Sequence, residues 1–253
     1  MRLYKEIWDT FFPVELAYKR IYILVFVWLV LVGLNYTLIN IYDGINTPIY
    51  FPFSVFYPSF QASGIPYAII FVLLLYFTIK YRFYSNIFST YILGISLIVL
   101  GNMSLGNIEL AFINPISGGD IQYYHDAIKI DSWKNWLSSF NVNQESLICH
   151  AKTHPPGAVL IEFFFFTISK NPLWISLVFL FLSSISIVLI YKIFIELGKD
   201  KLFSNKMAFL YVVIPSVNIY SLASLDAIIA MLANIIIFGM IIIIDCRGSK
   251  RMV

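Results

Sequence analysis

Charge is what this sequence has least of. Of its 253 residues, 17 are Lys or Arg and 14 are Asp or Glu, together 12%, where a soluble domain carries about 25%. That scarcity excludes an ordinary water-facing surface. The net charge of +3 gives no reason to expect a nucleic-acid partner. Cysteine is nearly missing: Cys149 and Cys246 are the only two, too few for a disulfide framework, and they read as unrelated free thiols. No small-residue cleavage site follows the first apolar run, so that run reads as an uncleaved anchor rather than a signal peptide. Internal repeats and low-complexity linkers are lacking as well. The expectation is a single membrane domain over 1–253, with an interfacial N-terminal segment at 1–20 and an outer loop at 104–155.

What is present is hydrocarbon. Apolar residues make up 60% of the chain and aromatic residues 18%, and the mean hydropathy is +0.82. A helix needs about 20 apolar residues to cross a bilayer, so the length accommodates six or seven membrane segments. Uncharged runs place them. Ile21 to Ile39 is the first. Pro48, Pro52 and Pro58 break the next stretch, which makes 44–64 an aromatic interfacial loop and 65–82 the second span. Ile87 to about Met103 is the third. After a polar segment at 104–153 come apolar runs at 156–169, 172–195, 207–224 and 227–244. The predicted fold is all-α: a polytopic transmembrane helical bundle with short juxtamembrane helices in an outer loop.

Basic residues orient it. Arg2, Lys5, Lys19 and Arg20 precede the first span, so the positive-inside rule puts the N-terminus in the cytoplasm and the 104–153 segment outside. If 156–169 crosses, ten of the 17 basic residues fall outside; if it only dips into the membrane, four do. The run is fourteen residues long and carries Glu162 in its middle, a carboxylate that must face protein or water rather than lipid. The dipping arrangement is preferred, and it places the C-terminus inside.

Three places carry candidate chemistry. In the outer segment, Ser117, Gly118 and Gly119 break the chain before Asp120, which can either cap a helix starting at Ile121 or serve as a functional carboxylate. Asp131 and Ser132 open a second short helix, whose Trp133, Trp136, Leu137 and Phe140 suit an orientation flat at the headgroup level. At "THPPGAVL", Pro155 pushes His154 out of helical geometry, while Pro156 and Gly157 suit a close backbone approach. The helix that begins there offers its N-terminal end to a phosphate, with Lys152 and His154 beside it. Asp226 is the only charge between Met207 and Ile244. It stands where a hairpin turn is needed, on the same outer face, and a capping role explains it equally well. His125, His150 and His154 with Asp120 lack a metal-site spacing.

Three sequence elements occur in order: "DIQYYHDA" at 120–127, "THPPGAVL" at 153–160 and "IPSVNIYSLASLDAIIAMLANI" at 214–235. Together they resemble the polytopic C-type glycosyltransferases, the superfamily of protein mannosyltransferases and lipid-A aminoarabinose transferases. The likeness covers roughly residues 110 to 245 and corresponds to the N-terminal part of such enzymes. It implies transfer of a sugar from a polyprenyl-phosphate donor to an acceptor on the outer side of the cell membrane. Asp120 takes the place of the catalytic carboxylate, although Ile121 follows it where family members often carry Glu. Tyr124, Lys152, His154 and Asp226 would bind substrate. No cofactor is required by this likeness, and a divalent cation stays open. Partners would be the lipid-linked donor, membrane lipid, and a partner subunit or the second half of a split enzyme. A non-catalytic subunit and a transporter or flippase of lipid-linked sugars are the alternatives.

Overall fold

The computed structural model describes residues 61–250, together with Ile23, Phe26, Val27 and Val30, which are helical. The expected interfacial segment at 1–20, most of the first span and most of the aromatic loop lie outside the described residues. The chain divides into two compact units, 1–58 and 59–253. Among the described residues every regular element of the second unit is helical, as the sequence predicts.

Local sequence sets where each long helix starts and stops. Helix α1, Ile65–Tyr81, has Pro66 in its first turn and ends at Arg82 in the left-handed conformation. Helix α2, Ile87–Met103, is capped by Asn86, whose side chain accepts from the Ser89 N–H at 2.9 Å. Between α2 and the next long helix lie a π turn at Glu109–Ile113 and five short pieces: α3 Asn114–Ser117, α4 Tyr124–Ala127, α5 Trp133–Ser138, α6 Phe140–Asn143 and α7 Cys149–Thr153. Helix α8, Gly157–Phe166, follows. Helix α9, Pro172–Glu196, is capped by Asn171. Helix α10, Lys201–Val213, is capped by Asp200, which accepts from the Phe203 N–H at 2.8 Å. Helices α11, Pro215–Ala223, and α12, Leu225–Lys250, complete the chain.

Three described stretches are long and apolar enough to cross a membrane: Ala62–Tyr81, Pro172–Glu196 and Leu225–Ile244. A fourth is added if α10 and α11 are one bent span. The six or seven expected segments are therefore not all present as full-length helices. The 207–224 run is one discrepancy. Pro215 has no N–H to donate and its ring clashes with the preceding turn, so Ile214 turns extended and the two helices meet at a 72° bend. Helix α2, at 17 residues, spans about 25 Å, at the lower limit for a crossing, whereas α8, at 10 residues, spans about 15 Å, half of a hydrocarbon core of about 30 Å.

Helix α9 is the hub, packing against α2, α10, α11 and α12. Phe179, Ile175 and Ile187 of α9 are fully buried together with Leu97, Ile98, Phe209, Val212 and Leu222. Buried polar side chains tie the helices together, the usual adhesive between apolar helices. Tyr91 Oη and Ser184 Oγ are 2.9 Å apart, Ser183 Oγ donates to the Ser221 carbonyl at 2.6 Å, and Asn102 Nδ2 donates to the Asn218 carbonyl at 3.0 Å. Gly101 makes the last crossing feasible, because a Cβ there would fall on the Asn218 side chain. By contrast α1 and α12 leave rows of isoleucine, leucine and aromatic side chains exposed, as a lipid-facing surface requires.

The helices run alternately between two ends. Ser85, Asn86 and Asn205 meet at one end, where Asn205 Nδ2 donates to the Ser85 carbonyl. At the other end Asn102, Phe179 and Asp226 line one cavity. The chain thus leaves α2 and enters α9 at the same end, and α8 does not cross the bundle.

Candidate functional site

A cavity of about 580 Å³ occupies the end where the irregular segment folds over the bundle. Its walls come from the C-terminal end of α2, the loop before α4, the α7–α8 corner, the second turn of α9 and the break between α11 and α12. The titratable side chains in its lining are Tyr123, His150, His154, Glu162, Tyr220 and Asp226.

Tyr123 stands where the groups meet. Its ring centroid lies 5.7 Å from that of His150 and 5.8 Å from that of His154, the latter edge-on. Burial raises the Tyr123 hydroxyl above the ordinary tyrosine range, and the negative charges of Asp226 and Glu162 add to the rise. Imidazole rings and carboxylates thus both lie near Tyr123. The two histidine rings are 6.2 Å apart, and His154 Nδ1 contacts the His150 carbonyl oxygen at 2.9 Å.

Glu162 is the deepest of the set. It is 3% exposed, and its Oε2 has no hydrogen-bond partner. The sequence requires this carboxylate to face protein or water, and it faces protein and the cavity. Helix α8 is not a spanning helix; within it, burial pushes the Glu162 carboxyl up to about 8, because the charged form loses hydration that nothing replaces.

Asp226 is exposed, in the first turn of α12. The cap of that helix is Ser224, whose Oγ accepts from the Asp226 N–H at 3.1 Å and donates to Asp226 Oδ2 at 3.2 Å. Capping is therefore done by a neighbour, which leaves the second carboxylate oxygen of Asp226 free for the cavity. The chain reverses at Ser224, within the turn anticipated near 221–226.

Other anticipated residues fall elsewhere. Asp120 is exposed in a turn that starts no helix at Ile121, since α4 begins at Tyr124, and it does not line the cavity. The nearby contact from His125 Nε2 to the Gly119 carbonyl, 2.6 Å, shapes that turn instead. Tyr124 points away from its neighbour Tyr123: its hydroxyl donates to the Lys170 carbonyl at 3.2 Å and its ring meets Phe166 edge-on at 5.0 Å. Lys152 pairs with Glu145 and is not in the lining. His154 is extended, as Pro155 demands, and lines the cavity. Gly157 has open space around the position of a Cβ, so the anticipated close approach of the backbone there is not made.

Three residues at or beneath the cavity do not stand out in the sequence. Tyr123 sits beside Tyr124 with nothing local to choose between them. His150 belongs to helix α7, which the outer loop does not advertise. Asp126 is buried at 6% exposure and accepts from the Ile148 N–H at 2.9 Å, with Lys129 at 3.7 Å. It thereby pins the Tyr123 turn to the start of α7. The spacing of Tyr123 and Asp126, three residues apart on one helical face, is the only signal that could have marked it. Among the described residues no group of three or more His, Cys, Asp or Glu side chains converges as a metal site.

No protein-family model, curated protein or solved structure matches this chain.

Proposed function

We propose that the chain is a multi-pass membrane protein that transfers a sugar from a polyprenyl-phosphate donor to an acceptor at the extracytoplasmic face. The observation that carries this reading is the cavity at one end of the bundle, in which an exposed carboxylate, two imidazoles and a buried acid come together from segments far apart in sequence. Glycosyl transfer needs a carboxylate to orient or deprotonate the acceptor hydroxyl and cationic or dipolar groups to meet the departing phosphate. Asp226 is assigned the first task in preference to Asp120, because it lines the cavity and its charge is accessible. His150, His154 and the start of α8 serve the second. Tyr123 lies between the two and orients the sugar.

The arrangement of charge supports the orientation. Lys80, Arg82, Lys192, Lys199, Lys201 and Lys206 belong to the end opposite the cavity, which the positive-inside rule makes cytoplasmic. With the first apolar run, α1, α2, α9, the bent α10–α11 pair and α12 as crossings, and α8 dipping into the outer leaflet, seven membrane segments result and the N-terminus is cytoplasmic. Helix α5 suits a position at the outer headgroup level: Trp133 and Leu137 are exposed, while Trp136 packs on the buried Phe140 at 5.3 Å.

The test is sugar transfer in membranes containing the protein and a mixed pool of polyprenyl-phosphate sugars, comparing wild type with Asp226→Asn and Asp120→Asn. The proposal expects transfer that collapses in Asp226→Asn and persists in Asp120→Asn. Collapse in Asp120→Asn alone returns the base to the outer turn. Absence of transfer in wild type turns the reading toward a non-catalytic partner subunit.

A further inference from the structure

A second hollow, of about 500 Å³, lies at the end of the bundle opposite the candidate site. It forms where α1 ends, the chain turns through 83–85 and α2 begins. Among its described lining residues Arg82 is the one charged side chain, so no acid there opposes an anion. Of the acids at this end, Asp200 accepts from the Phe203 N–H, and neither it nor Glu196 joins the lining. Neither ion pair among the described residues involves Arg82. Its backbone is unusual as well. With φ at 54° it is the one residue other than glycine in the left-handed region among those described, at a helix end where glycine is the unstrained choice. A guanidinium thus stands in the wall at a backbone cost, and its planar fork of donors matches a phosphate. Asn86 and Ser85 share the lining. The Asn86 Oδ1 is taken by the Ser89 N–H at 2.9 Å, which leaves its amide nitrogen, a donor, for a ligand.

The rest of the wall is hydrocarbon. Phe88 and Ile92, one helical turn apart on α2, line the hollow and are 74% and 48% exposed. Tyr81 and Phe83, also in the lining, stack at 5.7 Å, and Lys80 Nζ lies 5.5 Å from the Tyr81 ring centroid. Aromatic rings with basic side chains beside an exposed apolar helix face are the pattern of a membrane interface, headgroups on one side and acyl chains on the other. A free phosphate ester would answer Arg82 and leave Phe88 and Ile92 uncovered. A neutral lipid would do the reverse, and a choline headgroup would set another cation beside Arg82 and Lys80. A lipid with a net negative headgroup satisfies both parts. Lys192, Lys199, Lys201 and Lys206 belong to the same end and add long-range attraction for it.

We infer that this hollow holds one anionic phospholipid of the leaflet at the basic end, its phosphate on Arg82 and Asn86 and an acyl chain along Phe88 and Ile92. The inference rests on the chain being a membrane protein and not on sugar transfer.

The purified full chain tests it, in non-ionic detergent micelles carrying equal amounts of dioleoyl phosphatidylglycerol and dioleoyl phosphatidylcholine. After size exclusion the retained phospholipids are counted by mass spectrometry. Wild type should retain phosphatidylglycerol over phosphatidylcholine by about fivefold or more, the weight of one basic residue at an anionic surface. That preference should disappear in Arg82→Asn, which keeps the left-handed turn because asparagine enters that region more readily than most residues, and should persist in Lys201→Gln. Equal retention of the two lipids by wild type, which requires no variant to fold, overturns the inference. So does a preference unchanged in Arg82→Asn, or one lost equally in Lys201→Gln, which would assign it to the diffuse charge of the whole end. Glycerol 3-phosphate displacing the lipid at equal concentration overturns the lipid and leaves a free phosphate ester as the ligand. Sugar transfer is not read in this experiment, so its failure and that of the glycosyltransferase reading are separable.

Discussion

The two ends of this bundle each carry a hollow, of about 580 and 500 Å³, and the side chains that line them differ. At the basic end the helix caps are made locally, while Thr78 Oγ1 and Asn205 Oδ1 stay buried without a partner. Asn86 caps α2, Asp200 caps α10, and Asn205 donates to the Ser85 carbonyl. That end has a hollow of its own, about 500 Å³, lined by Arg82, Ser85 and Asn86 together with aromatic and aliphatic side chains. At the cavity end the caps are displaced: Ser224 takes the capping task from Asp226, and Glu162 keeps an oxygen with no partner. Polar groups that merely terminate helices are satisfied within three or four residues. Both ends keep a buried oxygen without a partner, and what separates them is the lining: imidazoles and carboxylates at one, Arg82 among aromatic and aliphatic side chains at the other.

The sharpest break of this comparison is chemical. Asp226→Asn should lower sugar transfer by about 10²–10⁴-fold, the usual contribution of a positioned acid or base, while Lys201→Gln at the basic end leaves transfer within about twofold. Equal losses from the two substitutions would erase the distinction. Next in size is packing. Gly101→Leu forces a side chain onto Asn218 and should destabilise the protein by roughly 2–4 kcal/mol, combining overpacking with loss of the Asn102–Asn218 tie; thermal unfolding in detergent reads it, and an unchanged Tm would mean that α2 and α11 do not approach as closely as described.

A smaller effect depends on pH. Glu162 sits at about 8 in the folded protein, above the usual carboxyl range near 4.3, and is faced by Tyr123 and Asp226 with His150 and His154 in the same lining. A carboxyl whose folded value is raised holds its proton more tightly in the native state, so its contribution is complete below about pH 4.3 and is lost as pH rises toward 8. Wild type should therefore lose thermal stability between pH 5 and 8 relative to Glu162→Gln. Parallel curves for the two proteins would show that Glu162 finds a partner or water. The smallest effect belongs to the basic end: Asp200→Ala removes the α10 cap and should cost about 1 kcal/mol of thermal stability while sugar transfer stays within about twofold.

Legibility in the sequence follows the range of the interaction. The all-helical class, the diglycine and proline breaks, the extended His154 and the reversal near Ser224 rest on residues within a few positions of one another, and all appear where local chemistry puts them. The bend at Pro215 was also written locally, yet an apolar run on both sides disguised it as one span. Asp120 is conspicuous in a string of letters because a carboxylate follows two glycines, whereas which loop side chain lines the cavity is decided by how the loop is pinned. That pin is Asp126 on the Ile148 N–H, a contact across twenty-two residues that no periodicity announces.

By itself the sequence determined the solvent and the pieces. Too little charge for a watery surface and apolar runs of helical length dictate helices with exposed hydrocarbon, and their caps and prolines dictate where they end, because those forces act within one or two turns. Only the tertiary structure decided which acids meet. Tyr123, Glu162 and Asp226 are separated by 39 and then 64 positions, and their convergence depends on glycine-permitted crossings and buried hydrogen bonds between helices, interactions that exist only once the chain has packed.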